Sequence, residues 1–249
     1  MPADPRLRAI VVDDEPLARR LLLEYLQALA GVEVVAECAN GFEAVKAVTE
    51  HAPDLLFLDI QMPKLDGFEV LELLDRDVAV IFVTAYDQHA LKAFEIHAVD
   101  YLLKPYTPER LAEAVAHARK ELGRPHAEAY KRVAADARPE SAGRDRILVR
   151  DQARVHVILV ERLDYAEALD DYVNLHSEGR TFLKSQTLGE LEAALDARRF
   201  VRIHRSYLLN LDRLARLELI AKDQRVAILK DGAQLPVSRA GYQRLKELM

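Results

Sequence analysis

Several polar groups in the N-terminal half have the types and spacing that phosphoryl chemistry needs. Asp13 and Asp14 follow the apolar run Leu7 to Val12, Asp59 follows Asp54 to Leu58, Thr84 closes Val78 to Val83, and Lys104 follows Asp100 to Leu103 and precedes Pro105. Three carboxylates brought to one place repel one another unless a cation sits among them. Mg²⁺ suits such a set, because it takes hard oxygen ligands, keeps several waters and bridges to phosphate oxygens. A site of this kind can accept a phosphoryl group on a carboxylate oxygen, with the cation and a lysine offsetting charge and Thr84 supplying a hydrogen bond. Alone, a DD pair is a solvated turn and Lys-Pro is uninformative; the chemistry depends on all the groups meeting at one rim.

The elements that would bring them together are legible from periodicity. Apolar β-branched runs at Leu7 to Val12, Val32 to Cys38, Asp54 to Leu58, Val78 to Thr84 and Asp100 to Leu103 predict five strands. Between and after them, Pro16 to Leu29, Gly41 to His51, Phe68 to Asp75, His89 to Ile96 and Pro108 to Leu122 have helical spacing. Such alternation implies an α/β doubly wound, five-stranded parallel sheet covered on both faces. In open sheets of this class the working site lies beyond the C-terminal ends of the strands, where the groups above fall.

Residues 123–145 are rich in Ala, Pro, Gly and charge without strand pattern, and read as a linker with helical character around Ala127 to Ala137. After Arg146 the texture becomes mostly β. Short strands are predicted at Ile147 to Val149, Val155 to Leu159, Tyr172 to His176, Thr181 to Leu183, Phe200 to Ile203, Leu214 to Ile220 and Val226 to Leu229, and helices only at Thr187 to Ala197 and Arg239 to Leu248.

The net charge of −6 hides an asymmetry: residues 1–125 carry −9, residues 126–249 carry +3, and residues 180–245 carry +6. An acidic half joined to a half with a basic segment fits a regulatory domain joined to a polyanion binder. No apolar run approaches the length of a membrane span, and the first residues lack a signal-peptide core, so a cytoplasmic location is expected. The single cysteine, Cys38, reads as a core residue.

The spacing of Asp13-Asp14, Asp59 within LDIQMPKLDG, Thr84-Ala85, and Tyr101 three residues before Lys104-Pro105 resembles the receiver domains of two-component response regulators over about residues 7–122. The resemblance implies that Asp59 is the phosphoacceptor. Mg²⁺ would be held by Asp14 and Asp59 through carboxylates, by Asp13 largely through water and by the backbone carbonyl of Gln61. Lys104 would contact the phosphoryl oxygen, and Thr84 with Tyr101 would form the switch. A sensor histidine kinase is the implied phosphodonor, and the implied response is homodimerisation through the face at residues 89–120. Tyr86, two residues past Thr84, is a candidate shield for the phosphoryl group. A haloacid-dehalogenase-type phosphatase would instead place DxD after the first strand, where this chain has DD.

Residues 146–249 resemble the LytTR family of DNA-binding domains through DYVNLHS (171–177), LGELEAAL (188–195), FVRIHRSYLLNL (200–211) and DGAQLPVSR (231–239). The organisation expected is therefore a receiver over 1–122, a linker over 123–145 and a LytTR-type domain over 146–249. In FVRIHRSY, Arg202 and His204 share one strand face, whereas Arg205 falls on the apolar parity, as if the strand ends and turns there. Arginine suits bidentate contact with guanine or phosphate. Arg205 and Arg239 are the candidate base readers, and Lys184, Arg202, His204 and Ser206 the candidate backbone contacts. The Asp170 to Tyr172 loop matches another contact region, but its two carboxylates are unlike a phosphate-binding loop. The alternative is a receiver-controlled module that binds a protein. An enzymatic output is not expected, because the second half lacks a nucleophile and base at workable spacing.

Overall fold

The computed structural model describes residues 6–74, 76–85, 98–123, 145–151, 154–221 and 224–248. The chain forms two compact units, with the elements through residue 121 in the first and those from residue 146 onward in the second. The helix expected over His89 to Ile96, Tyr86, and nearly all of the 123–145 linker lie outside the described residues.

In the first unit, β1 (Leu7–Val12), β2 (Val32–Cys38), β3 (Leu55–Leu58), β4 (Ala79–Thr84) and β5 (Asp100–Leu103) form a sheet of order β2-β1-β3-β4-β5. Every neighbouring pair is parallel. The middle strands β3 and β4 are buried along their whole length, as unbroken apolar runs in a sheet covered on both faces should be, whereas the edge strand β2 is mostly half-buried. Helix α1 (Pro16–Gln27) and α4 (Pro108–Glu121) close one face, where Leu22, Leu26, Leu111 and Val115 share a core with Val11, Phe57 and Ile81. Truncating the fully buried Phe57 to alanine would cost about 3–5 kcal/mol. Helices α2 (Gly41–His51) and α3 (Gly67–Leu73) pack against each other, and α2 also meets β1 and β2. Three of these helices start at side-chain caps from Asn40, Asp66 and Thr107, and α1 starts with proline.

The second unit holds β6 (Arg146–Asp151), β7 (Arg154–Leu159), β8 (Leu163–Leu169), β9 (Tyr172–Ser177), β10 (Arg180–Ser185), β11 (Phe200–His204), β12 (Tyr207–Asn210), β13 (Leu214–Ala221), β14 (Gln224–Leu229) and β15 (Gln234–Val237), with helices α5 (Leu188–Ala194) and α6 (Arg239–Leu248). They make a five-stranded antiparallel sheet of order β10-β9-β8-β12-β11, a three-stranded sheet β13-β14-β15 and the pair β6-β7. Three of these strands, β8, β12 and β15, are absent from the periodicity reading. The β8 sequence LDYAEAL favours helix in isolation, but β8 is held between β9 and β12. In β15, Pro236 has no N–H for a ladder, and an edge position is where a strand tolerates that. The predicted helix at Thr187 to Ala197 is shorter than expected, because Thr187 is its cap and its last residue is Ala194.

Two helical glycines behave in opposite ways. At Gly241 in α6, an added Cβ would lie deep inside contact distance of the Ile203 backbone of β11. At Gly189 in α5, its nearest neighbour would be the Thr187 hydroxyl at 4.0 Å. In urea unfolding followed by circular dichroism, Gly241→Ala should destabilise the second unit by about 1–3 kcal/mol through overpacking. Gly189→Ala should stabilise it by about 0.4–1 kcal/mol by restricting the unfolded chain.

Candidate functional site

The sheet order places the reversal of direction between β1 and β3, the position where open α/β sheets build their sites. Register pairs Val12 with Leu58, so Asp13 and Asp59 leave adjacent strands side by side. Both are buried, at 3% and 4% exposure, and Asp14 is half-buried. Carboxylate oxygens of Asp13, Asp14 and Asp59 lie within 4.8 Å of one another. Lys104, from the end of β5, sets its Nζ 2.7 Å from Asp13 Oδ2 and 2.7 Å from Asp59 Oδ2. The other oxygens are held by backbone: the Glu15 N–H donates to Asp13 Oδ1 at 2.9 Å and the Gln61 N–H to Asp59 Oδ1 at 3.1 Å. The Gln61 backbone is thereby fixed against the Asp59 carboxylate.

Two features explain the local shape. The Arg19 guanidinium of α1 donates to the Asp13 carbonyl at 2.6 Å, pinning the loop between β1 and α1. Helix α3 begins directly behind Asp59: its capping box joins Asp66 to Glu69, and the Gly67 N–H donates to the Ile60 carbonyl at 2.9 Å. A Cβ at Gly67 would strike the Asp59 carbonyl, so only glycine lets the helix start there. Thr84 is fully buried at the end of β4, and its carbonyl accepts from the Lys104 N–H at 2.8 Å. The pairings Phe82 with Tyr101 and Thr84 with Leu103 put Thr84 and the half-buried Tyr101 on the same sheet face.

Burial pushes the Asp13 carboxyl above the usual carboxylate range, against the opposing pull of Lys104. Burial alone would lower the Lys104 ammonium, but its bonds to Asp13 and Asp59 prevail and raise it. Asp13 and Asp59 thus share one lysine, and with Asp14 in the same cluster the three carboxylates leave a formal excess of two negative charges in an all-oxygen donor set. That set fits one hard divalent cation. Cys38 is buried, and burial with the Glu43 charge pushes its thiol to about 12, so it is not a reactive thiolate.

In the second unit, Arg205 and Ser206 form a two-residue turn between β11 and β12. The Ser206 carbonyl accepts from the Ala168 N–H at 2.8 Å, so the end of β8 and the Asp170-Asp171 turn lie at the same end of the sheet. A bulge leaves Ile203 without a partner on β12, and its carbonyl accepts both the N–H and the hydroxyl of Ser238, at 2.9 and 3.0 Å. Ser238 Oγ in turn accepts from the Gly241 N–H at 3.0 Å, capping α6. Arg239, the first residue of α6, is thereby tied to the same strand end as Arg205; both side chains are exposed. Among the described residues Arg205 has no side-chain partner.

The remaining candidates make contacts inside the protein. Lys184 Nζ donates to the Leu148 carbonyl at 2.7 Å, and His204 Nδ1 accepts from the Ser206 N–H at 3.2 Å. The Arg202 guanidinium is tied to Glu192 and to the turn carbonyls. Sequence reasoning missed Arg19, Glu192 and Arg244. The last lines one depression with Arg202, His204, Arg205 and Ser238, and its only signal in the sequence was a basic residue along the final helix.

Residues 9–116 match the response regulator receiver domain family, and residues 153–249 match the LytTr DNA-binding domain family. Across 245 residues the chain is 36% identical to an uncharacterized response regulatory protein of Vibrio vulnificus, with 98% of each chain covered. It is 35% identical over 246 residues to the transcriptional regulatory protein BtsR of Escherichia coli, covering 97% of this chain and 98% of that one.

The shared ammonium gives a pH-dependent expectation. Lys104 stabilises while it is charged, a contribution present at neutral pH and lost only in strong alkali as its raised pKa is passed. The raised Asp13 carboxyl works against folding when ionised, and this is relieved as pH falls toward 4. Lys104→Ala should therefore cost about 3–5 kcal/mol at pH 7, as for a broken buried pair. The deficit should shrink toward pH 4, as urea denaturation at the two pH values would measure.

Proposed function

This chain belongs to the response regulators that join a receiver domain to a LytTR DNA-binding domain, and on that footing we propose that phosphoryl transfer to Asp59 controls its binding to promoter DNA. The observation that carries the proposal is the single Lys104 ammonium held at 2.7 Å by two buried carboxylates at the ends of adjacent strands. The boundaries adopted are a receiver over 1–122, a linker over 123–145 and the DNA-binding domain over 146–249. The output is transcriptional regulation by DNA binding rather than catalysis, and the protein works in the cytoplasm. Among the described residues no helix is long and apolar enough to cross a membrane.

A sensor histidine kinase supplies the phosphoryl group. An Asp59 oxygen attacks phosphorus, the bond to the kinase imidazole breaks, and an acyl phosphate remains. The Gln61 N–H and Lys104 hold the two Asp59 oxygens apart and orient the carboxylate before the attack. Lys104 then bonds a phosphoryl oxygen in place of the carboxylate oxygen it now holds. Asp14, Asp59 and the Gln61 carbonyl, with Asp13 through water, would hold Mg²⁺, which offsets charge on the transferring group. The Thr84 hydroxyl turns to the new oxygens, and Tyr101, on the same face, takes the space it leaves. The response is dimerisation through the 89–120 face. In its described part Asp100 pairs with Arg110 at 2.5 Å and His117 lies 3.5 Å from Asp100. On the DNA, Arg205 and Arg239 read bases, with His204 and Ser206 beside them at the backbone.

Three experiments test this reading. Incubation with a small-molecule phosphodonor and Mg²⁺ should add one phosphoryl group to the wild type and none to Asp59→Asn, by intact-mass spectrometry. Beryllofluoride should double the mass seen by light scattering; an unchanged mass removes dimerisation from the proposal. After selection of bound duplexes, Arg239→Ala should weaken specific binding by about 1–3 kcal/mol, whereas a uniform loss across sequences would reduce Arg239 to a phosphate contact.

A further inference from the structure

We propose that Arg202 is a positioning residue: it holds the Arg205-Ser206 turn in the conformation that presents Arg205 to DNA, and it does not itself contact the nucleic acid. The inference rests on the reading of Arg205 as a base contact. Every nitrogen of the Arg202 guanidinium already has an acceptor inside the protein. Nε donates to the His204 carbonyl at 3.0 Å, NH2 to the Arg205 carbonyl, and NH1 pairs with Glu192 of α5 at 3.2 Å. The side chain is 21% exposed, and its charge is shared with a carboxylate that a DNA phosphate would have to displace.

The turn needs such a support. The bulge at Ile203 breaks the ladder one residue before the turn, and the Ile203 carbonyl is taken by Ser238 rather than by β12. The next two carbonyls, of His204 at the last paired position and of Arg205 in the turn, both receive the Arg202 fork. A planar guanidinium can reach two carbonyls and one carboxylate at fixed angles, which a lysine ammonium cannot reproduce. From the other side, Arg244 NH1 donates to the Arg202 carbonyl at 3.1 Å, so α6 braces the same strand. Glu192 is thus the anchor that keeps Arg202 folded over the turn, despite being an acidic group beside a polyanion-binding surface.

The full-length protein and a duplex selected by the wild type supply the test. Backbone amide exchange at residues 204–207 should quicken about tenfold or more in Arg202→Ala and Glu192→Ala, with the rest of the domain unchanged. Both variants should bind the duplex about tenfold or more weakly without changing the salt dependence, and Arg202→Lys should not restore binding. Arg205→Ala should cost less in the Arg202→Ala background than alone, because the two act on one contact. A salt slope that falls by about one phosphate's worth in Arg202→Ala would assign it to the DNA backbone and overturn the proposal. So would rescue by lysine, unchanged exchange at the turn, or tighter binding by Glu192→Ala. Should Arg202→Ala not fold, Glu192→Ala decides alone, since simple removal of repulsion and loss of the anchor move affinity in opposite directions. If Arg205→Ala leaves base preference intact, the base-reading role of Arg205 fails. The exchange data then decide whether Arg202 holds the turn.

Discussion

The first unit depends on one ammonium group placed between two buried carboxylates. Without Lys104, Asp13 and Asp59 would stand close together at the ends of β1 and β3, nearly out of water, without the ammonium that bonds both. Close like charges in such a setting are costly, and burial has already raised Asp13. One lysine settles part of the charge and leaves the remainder unmatched. The pocket is therefore under-neutralised by construction, which makes its charge balance sensitive to what enters it. The parallel sheet supplies the geometry: adjacent strands running the same way deliver their ends to one rim, so residues 13, 59 and 104 meet although they are far apart in sequence.

Much of this was legible in the residues. The strands of the first unit read correctly because their apolar runs are too short for buried helices and are set apart by turn residues, and β1, β2 and β5 match residue for residue. The carboxylate cluster followed from strand order, since whatever comes after such a strand lands at the rim. Hidden from the sequence were the contacts that set fine geometry. Arg19 reads as an ordinary helix arginine, yet it grips the Asp13 carbonyl. Gly67 reads as a turn glycine, yet the reason for it is the Asp59 backbone behind it.

The second unit was less legible because its strands are short and long-range. β8 has a helix former's composition and is made a strand only by neighbours far along the chain, and β15 contains a proline that only its edge position permits. The parity break at Arg205 was readable and corresponds to the turn between β11 and β12. Its cause, the bulge at Ile203, was not, because a bulge is defined by the partner strand rather than by the bulged residue.

The carbonyl of Ile203 joins pieces of chain that are otherwise unrelated. Through it the turn carrying Arg205 and the helix start carrying Arg239 are bolted to a common point, with Gly241 packed against the same backbone. The backbone positions from which the two arginines project are therefore held to one another, like two teeth of one key. On the reading in which both address bases, the grammar of the recognised DNA is a matter of phase as well as letters. A wrong base costs one contact, but an inserted base between the two positions puts one tooth out of step, so regulatory sites for this protein should vary in sequence before they vary in spacing.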